Sequence, residues 1–295
     1  MLNHLIISCR KKHDDRQSAN EGIIDFMQYT EEQLQQVMDA VQAGAGYRAI
    51  SRDLVEKLAR VELVKRANLK EAVKATRSAL HQAVGAYRER FDVRKIQREL
   101  DELGEGADED SMKNFCLRAM RFHASTQERL AVLEIFFHQT LQGIAPVRSV
   151  LDLACGLNPL ALPWMPLAEN APYHCYDVDE DLIRLDRSFL MLQARSGQAG
   201  LCDLTTGIPR QKVHLAMLLK TIPVLDQQDK EASQRLLDSL QAEHILITFP
   251  ARSLGGHAKG MPATYEARML QLVEGRAWRL QKFIFPLELV FLLTK

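Results

Sequence analysis

The second half of the chain alternates short apolar runs with longer segments of helical periodicity. Beyond Pro146 the apolar runs have the length of buried strands, and the segments between them are long enough for crossover helices. This alternation is typical of parallel strands joined by helices. We therefore expect an α/β fold with strands at 147–154, 173–177, 213–218 and 244–249, helices at 160–169, 180–194 and 227–240, and a closing strand or hairpin at 281–294.

The first third of the chain has a different pattern. From Thr30 to about Leu100 the apolar residues recur at helical spacing, and two acidic residues follow Thr30 as at a helix start. Two glycines and several acids make 103–110 a solvated linker. We predict two domains, a helical domain at 1–105 and an α/β domain at 106–295.

Charge is distributed unevenly. The 295 residues have a formal net charge of zero, but fourteen Lys or Arg residues, well above the number of acids, fall between Arg48 and Arg98. Such an asymmetry is typical of a module that binds a polyanion. Five basic residues on this region follow helical spacing and are candidate contacts to phosphates: Lys65, Arg66, Lys70, Lys74 and Arg77. Most charged helix faces are only solvated, so that alternative stays open.

Composition excludes several classes of protein. Apolar residues make up 46% and charged residues 26%, as in globular proteins, and no apolar run approaches the roughly 20 residues of a membrane span. Because Met1 to Arg10 contains only a short apolar stretch, we do not expect a secretion signal. The five cysteines are scattered without a C-x-x-C pair, so we expect reduced thiols, no metal site and a cytoplasmic protein.

The strongest local signal is a buried strand that ends in an acid and enters a turn of small residues. Asp152 ends the apolar run, and Ala154, Gly156 and Asn158 form the turn, which lets the backbone approach a ligand closely. Asp177, twenty-one residues after Gly156, closes the next strand, where an acid binds ribose hydroxyls. A single glycine suits S-adenosylmethionine better than the pyrophosphate of NAD.

Simpler interpretations of the same residues remain. Asp152 and Gly156 also fit a helix-capping acid and a turn glycine. Asp203 follows a third expected strand, where methyltransferase-type folds contact the adenine, and taken alone it is an ordinary loop acid.

Four segments carry a resemblance to a known family. They are 123–130 (HASTQERL), 151–160 (LDLACGLNPL), 218–225 (LLKTIPVL) and 247–261 (ITFPARSLGGHAKGM). In this order they resemble the 16S ribosomal RNA guanine-N7 methyltransferases of the Arm/Rmt type, which confer aminoglycoside resistance. In the helical region only 80–87 (LHQAVGAY) is similar to the family.

The resemblance implies both fold and activity. It implies a class I, Rossmann-like, S-adenosylmethionine-dependent methyltransferase with an N-terminal α-helical domain. Its substrate would be N7 of guanosine 1405 in the 16S rRNA decoding region of the assembled 30S subunit, and the helical region would be the rRNA-docking extension.

Roles for polar residues follow from this interpretation. We expect Arg129 to bind the carboxylate of S-adenosylmethionine, with Arg121 as the alternative and Thr126 adding a hydroxyl contact. A capped helix is another interpretation of this motif. N7 of guanine has a lone pair and no proton, so the reaction needs alignment rather than a general base.

Three basic residues are candidates for contacts to the target. Lys220 follows an apolar strand and would contact the guanine or a phosphate, unless its side chain extends to solvent. Arg252 and Lys259 flank a Gly-Gly loop that would hold the flipped nucleotide and the RNA backbone, and an ordinary solvated loop is the alternative.

Two other functions compete with this one. A methyltransferase of another RNA site or of a small molecule would share the cofactor loop, although a small-molecule enzyme does not need a basic helical extension. A non-catalytic RNA-binding protein could retain the fold, and the presence of Asp152 and Asp177 argues against it.

Overall fold

The computed structural model describes residues 29–85, 92–251 and 261–295. In the first part of the chain α1 to α3 are followed by one π-helical turn. Four further α-helices and two 3-10 helices, Leu130–Val132 and Gln142–Ile144, precede the sheet. Their bounds are α1 Glu31–Gln42, α2 Arg52–Lys65, α3 Leu69–Leu80, the π-helical turn His81–Gly85, α4 Val93–Leu103, α5 Glu109–Met120, α6 Ala124–Gln127 and α7 Leu133–Leu141.

The rest of the chain alternates strands and helices as expected. The elements are β1 Val150–Leu153, a 3-10 helix Asn158–Trp164, β2 Tyr173–Asp177, α8 Glu180–Leu192, β3 Ala199–Leu201, β4 Val213–Leu219, α9 Thr221–Gln228, α10 Ala232–Ser239, β5 Ala242–Pro250, α11 Met261–Val273, β6 Arg279–Ile284 and β7 Glu288–Thr294. The expected α/β class and the C-terminal hairpin are confirmed.

The seven strands form one mixed sheet in the order β3-β2-β1-β4-β5-β7-β6. Strands β1 to β5 are parallel, and β7 is antiparallel to both of its neighbours. The strand order reverses between β1 and β4. In open α/β sheets such a reversal creates a crevice at the carboxyl ends of the strands, where ligands bind.

Two of the expected helices are wrong in detail. The helix expected at 227–240 is two helices, because α9 begins already at Thr221, directly after β4, and ends at Gln228 before α10 begins at Ala232. The segment expected to be helical at 160–169 is a 3-10 helix that ends at Trp164 and contains Pro163. A proline inside a helix removes a backbone donor, so a regular α-helix cannot continue there.

The first three helices have a hydrophobic core of their own. Thr30 begins α1 with a capping box, in which its side chain accepts from the amide of Gln33. The core of α1 to α3 consists of Leu34, Val37, Met38, Val41, Ile50, Leu54, Val55, Ala59, Leu63, Ala72 and Leu80. Helix α4 instead belongs to the larger core under the sheet, and this packing favours a domain boundary before α4; the division at residue 105 stays a prediction.

A short bridge fixes α1 to α3 above the sheet. The amide of Ser51 donates to Val178 O at 2.7 Å, and the amide of Glu180 donates to Ala49 O at 2.7 Å. Lys57 of α2 also contacts Asp203 at 3.0 Å. The helices are therefore held over the loops that follow β2 and β3.

No helix in the described ranges is both long enough and apolar enough to cross a bilayer.

Gly197 lies just before the edge strand β3 and packs closely against β2. We therefore predict that a larger residue at this position lowers the stability of the protein. Gly197 precedes β3 with φ at +141°, and a Cβ there would lie 1.9 Å from Tyr173 O. We expect Gly197→Ala to lower the free energy of unfolding by more than about 2 kcal/mol in urea denaturation. Gly143→Ala, where a Cβ meets nothing within 4 Å, is the matched control; equal stabilities of the two variants would contradict the prediction.

Candidate cofactor and target site

A cavity opens at the carboxyl ends of the parallel strands. Its empty space is about 970 Å³, including the part open to solvent. The walls come from the loops after β1 to β4 and also from the helical region. Principal lining residues are Leu54, Ala83, Val84, His123, Ser125, Ala154, Asn158, Asp177, Val178, Cys202, Asp203, Leu204, Lys220, Thr221 and Gln228. Of the predicted site residues, the structure brings Ala154, Asn158, Asp177, Asp203 and Lys220 together here.

The cofactor loop after β1 has a tightly constrained backbone. Ala154 adopts a left-handed conformation with φ of 53°, and Gly156 has φ of 55°. A Cβ on Gly156 would lie 2.8 Å from the ring of His123, so any larger residue there would force the imidazole to move. Non-glycine residues with positive φ concentrate at functional sites, where the surrounding structure holds them.

Asp177 lies at the end of β2 and is oriented by backbone amides. Its Oδ2 accepts from the amide of Gly156 at 2.9 Å, and its Oδ1 accepts from the amide of Val178 at 2.7 Å. The carboxylate is fixed on the wall of the cavity, next to the cofactor loop. This is the position in which an acid can bind ribose hydroxyls.

Asp203 forms the neighbouring part of the wall. Its Oδ2 accepts from Lys57 Nζ at 3.0 Å, and its Oδ1 accepts from the amide of Thr205 at 3.0 Å. The loop after β3 is therefore tied to helix α2. Apolar Leu54 and Leu204 lie on the same cavity, so this end can accept a flat apolar group with polar edges.

Asp152 does not line the cavity, which corrects its expected direct contact with the cofactor. Its side chain is 1% exposed, and its Oδ2 accepts from Asn158 Nδ2 and from the Tyr173 hydroxyl, each at 2.8 Å. Burial raises the pKa of Asp152 to about 6. The carboxylate lies below the loop and orients Asn158.

Arg129 and Thr126 are also buried beside the cavity rather than in its wall. Arg129 donates to Asn158 Oδ1 at 3.1 Å and contacts Glu288 at 3.0 Å. The Thr126 hydroxyl donates to Met120 O at 2.7 Å, so the structure assigns it to the helix junction instead of the cofactor. Binding of the cofactor carboxylate by Arg129 stays a prediction. Its guanidinium does not line the cavity but donates to Asn158, which does.

Lys220 has an unusual conformation and a buried ammonium group. It has φ of 59°, is 2% exposed and lines the cavity, so the interpretation that it extends to solvent is wrong. Its Nζ forms a short contact with Glu128 and lies 3.4 Å from both Glu288 Oε1 and Ser125 O. A buried ammonium group requires such partners.

These contacts form one continuous buried network. It runs from Tyr173 through Asp152, Asn158, Arg129, Glu288 and Lys220 to Glu128. Sequence reasoning missed Glu288 and treated Glu128 only as a capping acid. The available signal for Glu288 was an acid at the start of an otherwise apolar strand.

The remaining predicted residues divide into three groups. Arg252 and Lys259 lie outside the described residues. On the helical region Lys65 and Arg66 form exposed ion pairs with Glu62, while Lys70 and Lys74 are exposed. Arg77 is a correction, because its guanidinium turns inward and donates to Ala40 O at 2.5 Å, where it binds the end of α1.

Two groups of potential metal ligands lie in the described part of the chain. One group, Cys155, Cys175 and Asp186, is buried below the cofactor loop. The other group, His214, Glu243 and His244, lies at the amino ends of β4 and β5, opposite the cavity. Burial raises the pKa of the Cys155 thiol, which favours the protonated form over the thiolate that metals bind. The expectation of no metal stays a prediction.

The strand order and the cavity at its switch point define a class I S-adenosylmethionine-dependent methyltransferase. The family described as ribosomal RNA methyltransferase (FmrO) matches residues 43–292. The chain belongs to this family.

Relatives and solved structures agree with that assignment. The chain is 31% identical over 268 residues to a 16S rRNA (guanine(1405)-N(7))-methyltransferase of Micromonospora echinospora, over 90% of this chain and 98% of the relative. A Serratia marcescens enzyme of the same description is 32% identical over 78% of this chain and 86% of its own.

Two solved structures show the same architecture. The 16S rRNA methyltransferase RmtF, solved in complex with S-adenosyl-L-homocysteine, has a TM-score of 0.78 and 30% identity, with coverage of 90% of this chain and 100% of that one. The methylase RmtB has a TM-score of 0.73 and 25% identity over 89% and 98%.

The raised pKa of Asp152 predicts a pH-dependent stability. Because the folded-state pKa is about 6, against the ordinary aspartate value of 3.8, the stabilisation from its bound proton is present below pH 3.8 and is lost as pH rises through 6. Asp152→Asn keeps a side-chain oxygen that accepts from Asn158 and Tyr173. Because asparagine does not titrate, this variant does not lose stability as pH rises through the same range. Relative to wild type, the free energy of unfolding of Asp152→Asn should rise by up to about 3 kcal/mol between these pH values.

Urea denaturation of both proteins at a series of pH values measures this difference. Asp110→Asn, an exposed acid on α5, is the control for the change in net charge. Parallel profiles for wild type and Asp152→Asn would contradict the assignment.

The contribution of the helical region to the cavity gives another prediction. Val84, in the π-helical turn, lines the cavity, and a carboxylate there would be buried against the bound cofactor. We expect Val84→Glu to raise the Kd for S-adenosylmethionine by at least about 10-fold in calorimetric titration. The same change at Val64, which is 47% exposed on α2, should leave the Kd unchanged; equal effects would count against closure of the cavity by the helices.

Proposed function

We propose that this protein transfers a methyl group from S-adenosylmethionine to N7 of guanosine 1405 in 16S rRNA, with the assembled 30S subunit as substrate. The observation that carries the proposal is the arrangement of the cavity. Asp177 and Asp203 line one part of it, and Asn158 and the buried cation Lys220 line another. Relatives that cover 90% of the chain are 16S rRNA (guanine(1405)-N(7))-methyltransferases, which supports the same reaction.

The described residues fit S-adenosylmethionine. Apolar side chains and Asp203 of the cavity wall would hold the adenine, and the carboxylate of Asp177 would bind the ribose hydroxyls. Asn158, backed by Arg129 and Asp152, offers polar contacts to the methionine part. When bound, the cofactor supplies an electrophilic methyl group.

The residues around the cavity would then align the reactants. N7 of guanine attacks with its own lone pair, so the protein needs to move no proton. Correct placement of two reactants can supply roughly 7 to 11 kcal/mol of rate enhancement. We assign the placing of the target to Lys220, together with Arg252 and Lys259, which follow β5 in the sequence.

The helical region at the start of the chain is proposed to dock on the ribosomal RNA. Lys70 and Lys74 present exposed ammonium groups on α3, and Lys65 and Arg66 lie near the end of α2. Phosphate contacts of this kind fix register without reading sequence. The same helical region also lines the cofactor cavity, through Leu54 of α2 and Val84 of the π-helical turn.

Methylation accounts for drug resistance in physical terms. A methyl group on N7 removes an acceptor, gives the base a positive charge and adds bulk. A polycationic aminoglycoside that contacts this edge is therefore repelled.

The direct test is transfer of a labelled methyl group to purified 30S subunits, followed by mapping of the modified nucleotide. We expect N7-methylguanosine at position 1405. Labelling at another nucleotide would assign a different RNA site. Cofactor binding without any transfer would favour the non-catalytic alternative.

Substitution of the exposed lysines of α3 tests the docking surface. We expect Lys70→Glu/Lys74→Glu to reduce kcat/KM on 30S subunits by at least about 10-fold and to leave the Kd for S-adenosylmethionine unchanged, because each reversal places a carboxylate near phosphate. Arg210→Glu/Lys212→Glu is the control, because it makes the same charge change just before β4, at the amino ends of the strands. If the control pair reduces activity equally, docking by α3 is wrong.

A further inference from the structure

Glu128 and Lys220 place an acceptor and a donor side by side next to the cavity. The carboxylate of Glu128 contacts Lys220 through Oε2, which leaves Oε1 of the same group as a second acceptor. The two side chains differ in exposure, with 2% for Lys220 and 32% for Glu128. The pair is therefore buried at its cationic end and open at its anionic end.

The order of these groups is fixed relative to the cavity. Lys220 and Ser125 are part of the cavity wall, whereas Glu128 lies outside it and lines a neighbouring depression with Arg129 and Phe285. The ammonium group is therefore in the cavity wall, and the carboxylate lies directly beside it, between the cavity and the neighbouring depression.

Guanine presents matching groups in the same order. Next to N7 lies O6, a hydrogen-bond acceptor, and next to O6 lies N1–H, a donor. If N7 points at the methyl group in the cavity, O6 faces Lys220 and N1–H faces Glu128. Adenine has the opposite pattern, with an amino group at position 6 and a bare N1, so both contacts would be mismatched.

We propose that Glu128 is a specificity-determining residue that accepts a hydrogen bond from N1–H of the target guanine, while Lys220 donates to O6. The inference rests on the proposed function and adds the means by which guanine is chosen over adenine. Adenine also has a lone pair on N7, so alignment with the methyl group alone would not separate the two bases.

The surrounding contacts allow Lys220 to take on this bond. Of its three partners, the carbonyl of Ser125 at 3.4 Å is a neutral acceptor at the outer limit for a hydrogen bond. The O6 carbonyl can replace it, and Glu288 at 3.4 Å remains to balance the charge. The carboxylate of Glu288, itself 2% exposed, holds the ammonium group in place.

The test measures methyl transfer to 30S subunits that carry either guanosine or adenosine at position 1405, assembled from plasmid-encoded 16S rRNA. Wild-type protein should prefer guanosine by at least about 1,000-fold in kcat/KM. Glu128→Gln should reduce kcat/KM on guanosine roughly 10- to 100-fold, because a charged acceptor is lost, and should narrow the preference by about 10-fold or more, because an amide can also donate to N1 of adenine.

Controls separate this role from a structural one. The Kd for S-adenosylmethionine of Glu128→Gln should equal that of wild type, and Glu128→Asp, which keeps the carboxylate, should retain the preference for guanosine at a reduced rate. Glu134→Gln makes the same chemical change at an exposed position of α7 and should alter neither rate.

The outcomes distinguish this inference from the proposed function. If Glu128→Gln keeps the wild-type rate and preference, or loses cofactor binding together with activity, the role of Glu128 is overturned while the methyltransferase assignment stands. If wild-type protein transfers no methyl group to guanosine-bearing 30S subunits, the proposed function fails and this inference fails with it.

Discussion

The charge balance of the site depends on one buried carboxylate. Glu288, 2% exposed, lies 3.0 Å from Arg129 and 3.4 Å from Lys220, two cations that are themselves 1% and 2% exposed. Removing one member of such a group from a low-dielectric interior leaves an uncompensated charge, which typically destabilises a protein by 3–5 kcal/mol. The two cations are therefore interdependent, although one belongs to the HASTQER motif and the other follows β4.

The antiparallel hairpin explains how Glu288 reaches this position. In register, Glu288 pairs with Pro250 at the carboxyl end of β5. If β7 were parallel to β5, its first residue would instead lie at the amino end of β5. Because β7 is antiparallel to β5, its first residue lies at the same edge as the loops that form the cavity. The topology of the C-terminal hairpin is in this way a requirement of the site and not only of the sheet.

Sequence patterns predicted the parallel strands well because each is a short apolar run with turn residues on both sides. For β2 the predicted range 173–177 is the same as the observed one. They failed for α9, where the helix begins at a left-handed Lys220, a conformation that propensity does not indicate. Within the site, Asp177 and Asn158 could be predicted from a local motif. Glu288 could not, because its function depends on a contact with Arg129 across 159 residues of sequence.

The strained backbone and the buried network have a common consequence for the chemistry. Ala154 and Lys220 adopt left-handed conformations at the ends of β1 and β4, neighbouring strands of the sheet. Each conformation costs about 1–3 kcal/mol and persists only where other contacts fix it. Here those contacts include the hydrogen bond from Lys220 N to Thr248 and the ion pairs of its side chain. A reaction at N7 needs no proton transfer, so its rate depends on how well N7 and the methyl group are aligned. Fixing the positions of Ala154 and Lys220 therefore acts directly on the rate of methyl transfer.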